Sequence, residues 1–287
     1  MIKKVILTHT KSLKHWVGNG FHVHGLLRPS GEINNIISPF IMMDYASPKE
    51  FLKSDIPKGV GEHPHRGFET VTFAYQGEVQ HRDSSGGGGT IKPGDVQWMT
   101  AGSGIVHDEF HSESFSSKGG LFEMVQLWVN LPKKYKMTSP KYQSIKKSDI
   151  PNINLTDEID MRLIAGEYLN QSGPAATFTK INIMDFHGEK KSTVSLSLEE
   201  NTNTILLVLS GSVKIEGQFY RDKSVIIFDQ IGTNLNLETS DNFKALLLNG
   251  EPINEPVVSY GPFVMNTKQE IEEAISDYQN GKMGNLL

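Results

Sequence analysis

Short runs of apolar and β-branched residues, each about one strand long, recur along the chain. They cover 70–75, 96–99, 124–129, 179–184, 204–209, 224–228 and 243–248. Turn-forming residues separate them: Gln76-Gly77, the stretch 83–89, Pro93-Gly94, 201–203, Ser210-Gly211 and Asn249-Gly250. Val, Ile, Thr and aromatic residues suit a pleated, half-buried surface, while Gly, Asn and Pro suit tight reversals. Many short strands at this spacing predict an all-β chain built as antiparallel sandwiches or barrels.

Helical periodicity is scarce. The clear case is 267–280, where Thr267 is an N-cap and Glu270 its capping-box partner. Ile271, Ala274, Ile275 and Tyr278 then share one face, and Gly281 ends the helix. A weak internal repeat is also present. An apolar run, Gln76-Gly77-Glu78-Val79 and the later Pro93-Gly94-Asp95-Val96 in the first half match an apolar run, Ser210-Gly211-Ser212-Val213 and 224–228 in the second. The repeat predicts two similar barrels in tandem. The Lys-rich stretch 131–151, broken by Pro132, Pro140 and Pro151, reads as the linker. The expected division is 1–135 and 136–287, with Lys133, Lys134 and Lys136 solvated.

Composition narrows the chemistry. Lys plus Arg number 28 and Asp plus Glu 33, a net charge of −5 over 287 residues. That balance offers nucleic acid and anionic lipid no general attraction. There is no Cys, which excludes disulfides, thiolate metal sites and Cys nucleophiles. No apolar run approaches the ~20 residues that span a bilayer, and the N-terminal apolar run is too short for a signal peptide. A soluble, cytoplasmic chain is expected. Ten His remain as the main transition-metal ligands.

The informative segments are Gly61-Glu62-His63-Pro64-His65-Arg66-Gly67-Phe68-Glu69 and Gly102-Ser103-Gly104-Ile105-Val106-His107-Asp108-Glu109. On a strand, residues i and i+2 share a face. His63 and His65 would therefore converge, as would His107 and Glu109. If the two strands belong to one barrel, three imidazoles and one carboxylate surround a point. Such donors favour a first-row divalent metal over Ca or Mg. In a six-coordinate sphere two positions stay open for water, substrate oxygens or O₂.

Other candidates carry plainer readings. His22 and His24 lack a partner His-x-Glu and read as half-buried strand residues. Asp108 faces away from the cluster, and His111 has at most an outer role. His81-Arg82-Asp83 reads as a solvated turn and 86–89 as a hairpin tip. Trp98, Met99, Phe122, Met124, Leu127 and Trp128 read as core.

These motifs, with Gln126-Leu127-Trp128-Val129-Asn130-Leu131 and Tyr260-Gly261-Pro262-Phe263-Val264-Met265-Asn266-Thr267, resemble the pirin family of the cupin superfamily. The resemblance spans nearly the whole chain. It implies two tandem cupin barrels (double-stranded β-helix, jelly-roll) with a C-terminal helix, and one metal in the first barrel. By motif position the ligands would be His63, His65, His107 and Glu109. The wider cupin pattern instead puts a Glu four residues after the second His, where Glu69 stands, and the carboxylate stays open between Glu109 and Glu69. The metal would be Fe(II) first, with Mn, Ni, Cu, Co or Zn accepted by the same donors.

The resemblance also implies a quercetin 2,3-dioxygenase-like reaction. O₂ would open the ring of a planar flavonol, releasing carbon monoxide and a depside, with Glu109 or Glu69 taking a proton. Such a protein would act as a monomer without nucleic acid or membrane. The alternative is a non-catalytic metal-binding regulator, a redox or ligand sensor working through protein partners.

Overall fold

The computed structural model describes residues 1–10, 13–29 and 33–286. The chain forms two compact units, and neither is continuous in sequence. One comprises Leu13–Pro29, Phe40–Lys147 and Ile253–Leu287, the other Met1–Ser12, Ser30–Pro39 and Ser148–Pro252.

In the first of these units a seven-stranded sheet runs in the order Lys141–Ile145, Val96–Thr100, Phe68–Gln76, Gly120–Asn130, Phe40–Phe51, Phe21–Leu27 and Lys14–Val17. A four-stranded sheet runs Gly59–His65, Ile105–His111, Val79–Asp83 and Gly88–Ile91. All pairings in both sheets are antiparallel. Phe21, Val23, Ala46, Ala74, Val79, Ile91, Phe122 and Met124 come from both sheets and form one apolar core between them.

The other unit repeats this plan. Its seven strands are Val5–His9, Val225–Phe228, Asn203–Ser210, Phe243–Gly250, Ile181–Gly188, Ile159–Ala165 and Asn152–Thr156. Its four are Ser192–Ser197, Asn234–Thr239, Ser212–Ile215 and Gln218–Arg221. Strand for strand the order matches the first unit, which accounts for the internal repeat. The exception is the outermost strand of each large sheet. The N-terminal Val5–His9 pairs with Val225–Phe228, whereas Lys141–Ile145 pairs with Val96–Thr100.

Two readings of the middle segment are corrected by this arrangement. Residues 141–145 are a paired edge strand rather than part of a free linker. Lys136 is 1% exposed, and its ammonium donates to Gly67 O, Asn130 Oδ1 and Val264 O at 2.7–2.9 Å. Three oxygen acceptors supply what water would have given it. The terminal helix spans Lys268–Gln279 with Thr267 as N-cap in a capping box with Glu270. Ile271 and Ala274 are buried, while Tyr278 from the expected apolar face is 40% exposed.

Candidate metal centre

His63 and His65 lie on the edge strand Gly59–His65, where Pro64 removes a donor that an outer edge does not need. The neighbouring strand Ile105–His111 sets His107 directly opposite His63. Glu109 pairs with Val60, so Gly61 and Glu62 together face Asp108. This bulge adds one residue to the histidine strand and bends it locally.

The result is a tight group. Ring centroids of His63 and His107 are 4.2 Å apart, those of His65 and His107 4.8 Å, and those of His63 and His65 4.9 Å. One ring nitrogen from each lies within 4.8 Å of the others. His65 and His107 are buried and His63 is half-buried. Burial first, and the neighbouring imidazoles after it, hold the pKa values of His65 and His107 well below the usual histidine value. Both rings are therefore neutral and carry a lone pair.

Hydrogen bonding decides which nitrogen bears it. His63 Nδ1 is 2.8 Å from Gly61 O and His65 Nδ1 is 3.4 Å from Pro262 O. A carbonyl only accepts, so both Nδ1 atoms are protonated, and in the neutral His65 ring Nε2 is bare. His107 Nε2 is buried with no hydrogen-bond partner among the described residues. A buried, unpaired acceptor is costly in a protein interior. The orphaned nitrogen, the bare Nε2 of His65 and the adjoining His63 ring fit a divalent first-row cation.

A second group shares His107. Ligating atoms of His81, His107 and Glu109 also lie within 4.8 Å of one another, and all three residues are buried. Glu109 Oε1 accepts from Gln97 Nε2 at 3.1 Å and lies 3.5 Å from Thr72 Oγ1. Tyr142 OH donates to Gln97 Oε1 at 3.3 Å, which turns the Gln97 amide nitrogen toward Glu109. The carboxylate is thus held beside His81 and His107, in the second group rather than with His63 and His65, by neighbours on the 68–76, 96–100 and 141–145 strands.

His81 and Asp83 are the residues that sequence reasoning missed. They are 1% and 6% exposed rather than part of a solvated turn. On the strand Val79–Asp83, residues 79, 81 and 83 face inward and 80 and 82 outward. That alternation was visible in the sequence, but two polar residues at inward positions hid it. Tyr142 stacks on His81 at 5.1 Å and is the contribution of the supposed linker.

Glu69 belongs to neither cluster among the described residues. The alternation that tied it to His65 breaks at Arg66-Gly67, where Gly67 has φ 88° and the chain leaves one sheet for the other. Glu69 restarts the count on the strand Phe68–Gln76. Thr72 of that strand faces Glu109, and Glu69, three residues earlier, takes the opposite face. There its Oε1 accepts from Thr100 Oγ1 at 2.7 Å.

The remaining candidates fall outside both clusters. Asp108 pairs with Arg82 on the far face. His111 bonds Gly20 O at 3.0 Å and sits among Phe21, Phe51, Phe115 and Phe122. His22 stacks on Trp16. In the other unit the strands equivalent to those of the imidazoles carry Val194, Leu196, Leu235 and Leu237, all within its apolar core.

Comparison with known proteins follows the same lines. The family model Pirin matches residues 21–129, and that of the Pirin C-terminal cupin domain matches 183–284. A Pseudomonas aeruginosa protein named, provisionally, as a quercetin 2,3-dioxygenase is 45% identical over 282 residues, 98% of either chain. The crystal structure of a quercetin 2,3-dioxygenase from Acinetobacter baumannii is 49% identical, with TM-score 0.96 over 100% of both chains. A bacterial pirin from Escherichia coli, solved in complex with nickel(II), shares the fold at 16% identity and TM-score 0.65, covering 86% of this chain and 100% of that one. Matched in both halves and so similar to relatives over its full length, the chain belongs to the pirin family, with an N-terminal and a C-terminal cupin domain.

Proposed function

We propose that the chain is a metal-dependent dioxygenase that opens the ring of quercetin or a related planar flavonol with O₂. The observation that carries this reading is the convergence of three imidazoles, with one buried ring nitrogen orphaned among them. In the proposal His63, His65 and His107 hold one divalent cation and Glu109 is the fourth ligand. Fe(II) is the expected metal, and Mn, Ni, Cu, Co or Zn suit the same donors. Such a cation, when bound, supplies Lewis acidity that lowers the pKa of a flavonol hydroxyl.

The chain's own residues do the rest. Glu109, the carboxylate beside His107, takes the hydroxyl proton, and Gln97 keeps it aimed. Glu69 has no part, because it faces away. Trp128, half-buried and 5.3 Å from the His65 ring, offers an aromatic surface to a planar substrate. The proposal takes the chain to be a cytoplasmic monomer.

The test loads metal-free protein with Fe(II), Mn(II), Ni(II) or Cu(II) and follows quercetin absorbance in air. Metal-dependent loss of quercetin that disappears in His63→Ala is the expected result. No loss with any of these metals overturns the reading and favours a sensor that acts through protein partners.

A further inference from the structure

Residues 253–287 lie in the unit that carries the imidazoles. His65 and Pro262 are 197 residues apart, yet the Pro262 carbonyl accepts from His65 Nδ1. The same carbonyl accepts from Arg66 N at 3.4 Å, and Val264 N donates to Arg66 O at 3.1 Å. This short parallel bridge grips the turn that follows the ligand strand. At Gly67 a Cβ would come within 2.1 Å of Val264 O, so only glycine allows the backbones to approach.

A second grip comes from the terminal helix. Arg66 Nη1 donates to Asp277 Oδ2 at 2.9 Å, and Arg66 Nε donates to Ser103 O at 2.7 Å. Ser103 lies just before the strand that bears His107. One guanidinium, its side chain 5% exposed, therefore ties the helix to the approaches of both ligand strands. Behind His107, Val106 faces the opposite side of its strand and packs with Phe263, Met265, Ile271, Ala274 and Met283.

We propose that the C-terminal segment is a positioning element of the metal centre, with Asp277 and Arg66 holding the Pro262 carbonyl where it fixes the orientation and tautomer of His65. The physical need is general. A ligating imidazole that donates its other N–H to a fixed acceptor has one ring orientation and one bare nitrogen. Asp277 and Arg66 touch neither substrate nor cation and act through His65. This inference rests on the metal-binding reading above.

The experiment titrates metal-free protein with Co(II), reading the visible ligand-field spectrum and the apparent Kd. Asp277→Asn keeps the helix residue but removes the charge that holds Arg66. A Kd raised 10- to 100-fold is expected, with an altered spectrum at saturating Co(II) and an unchanged melting midpoint of the metal-free protein. Asp277→Glu should restore Kd to within a few-fold of the parent. A purely structural role would lower the midpoint and leave the saturated spectrum intact, and that result overturns the proposal. Wild-type Kd and spectrum in Asp277→Asn overturn it as well. Arg66→Lys, which keeps a cation for Asp277 but loses the fork to Ser103, gives the same readouts if Asp277→Asn folds poorly. His107→Ala separates the two claims. If it abolishes Co(II) binding while Asp277→Asn does not weaken it, the metal site stands and the positioning role fails. If the parent binds no Co(II), both fail.

Discussion

The Nδ1 atoms of His81 and His107 lie 3.2 Å apart, and Asp83 decides which of them carries the proton. Asp83 Oδ2 is 3.1 Å from His81 Nε2 and can only accept, so His81 is protonated there. The Gln97 amide nitrogen, 3.3 Å away, only donates, so His81 Nδ1 is an acceptor, shared with His107 Nδ1. His107 donates from Nδ1 and keeps Nε2 bare. A carboxylate–imidazole–imidazole chain therefore selects the His107 tautomer with a bare Nε2.

Replacing His81 with Phe keeps a ring against Tyr142 but removes the acceptor. The apparent affinity for a divalent metal should fall about 10- to 100-fold, measured by calorimetric titration. Unchanged affinity would show that the chain of hydrogen bonds does not set the tautomer.

Burial raises the Glu69 carboxyl from its ordinary 4.5 to about 7. Between those values the metal-free folded chain keeps a proton that the unfolded chain has released. The resulting stability is fully present below pH 4.5 and is lost as pH rises through 7. Glu69→Gln stays neutral throughout and its Oε1 still accepts from Thr100. The variant should match the parent near pH 4.5 and exceed it at pH 8, by on the order of 3 kcal/mol. Urea midpoints at the two pH values check this.

Lys136→Met should destabilise the chain by about 2–4 kcal/mol, because it strands three buried oxygen acceptors. Chemical denaturation measures the loss. A variant as stable as the parent would mean that the three acceptors find other donors.

Adding a divalent metal at about a hundredfold excess over its Kd should stabilise the folded chain by about 2.7 kcal/mol. A melting curve would show the rise, a chelator should reverse it, and His107→Ala should not show it. A rise that survives in His107→Ala would point to binding elsewhere.

Much of this molecule is written in local pattern. The runs at 70–75, 204–209 and 243–248 lie within observed strands. The capping box at Thr267 and Glu270 marks the start of the observed helix. His63, His65, His107 and Glu109 were findable because two-residue spacing puts side chains on one strand face. The same spacing could not place Glu69, because the rule stops at Gly67, whose positive φ starts a new strand in another sheet. Tyr142 and Lys136 were hidden in a polar, proline-broken stretch, where an edge strand needs little apolar pattern.

The amino-acid order alone determined the two β repeats, the helix and the His-x-His and His-x-Glu pairs, since each depends on residues a few positions apart. Tertiary structure decided which carboxylate faces the imidazoles, which nitrogen stays bare and where the chain ends belong. Val5–His9 completes the sheet of the second repeat, while residues 253–287 join the unit of the first. Those outcomes depend on partners distant in sequence, such as Pro262, 197 residues from His65, and Phe228 opposite Val5, and no local spacing encodes them.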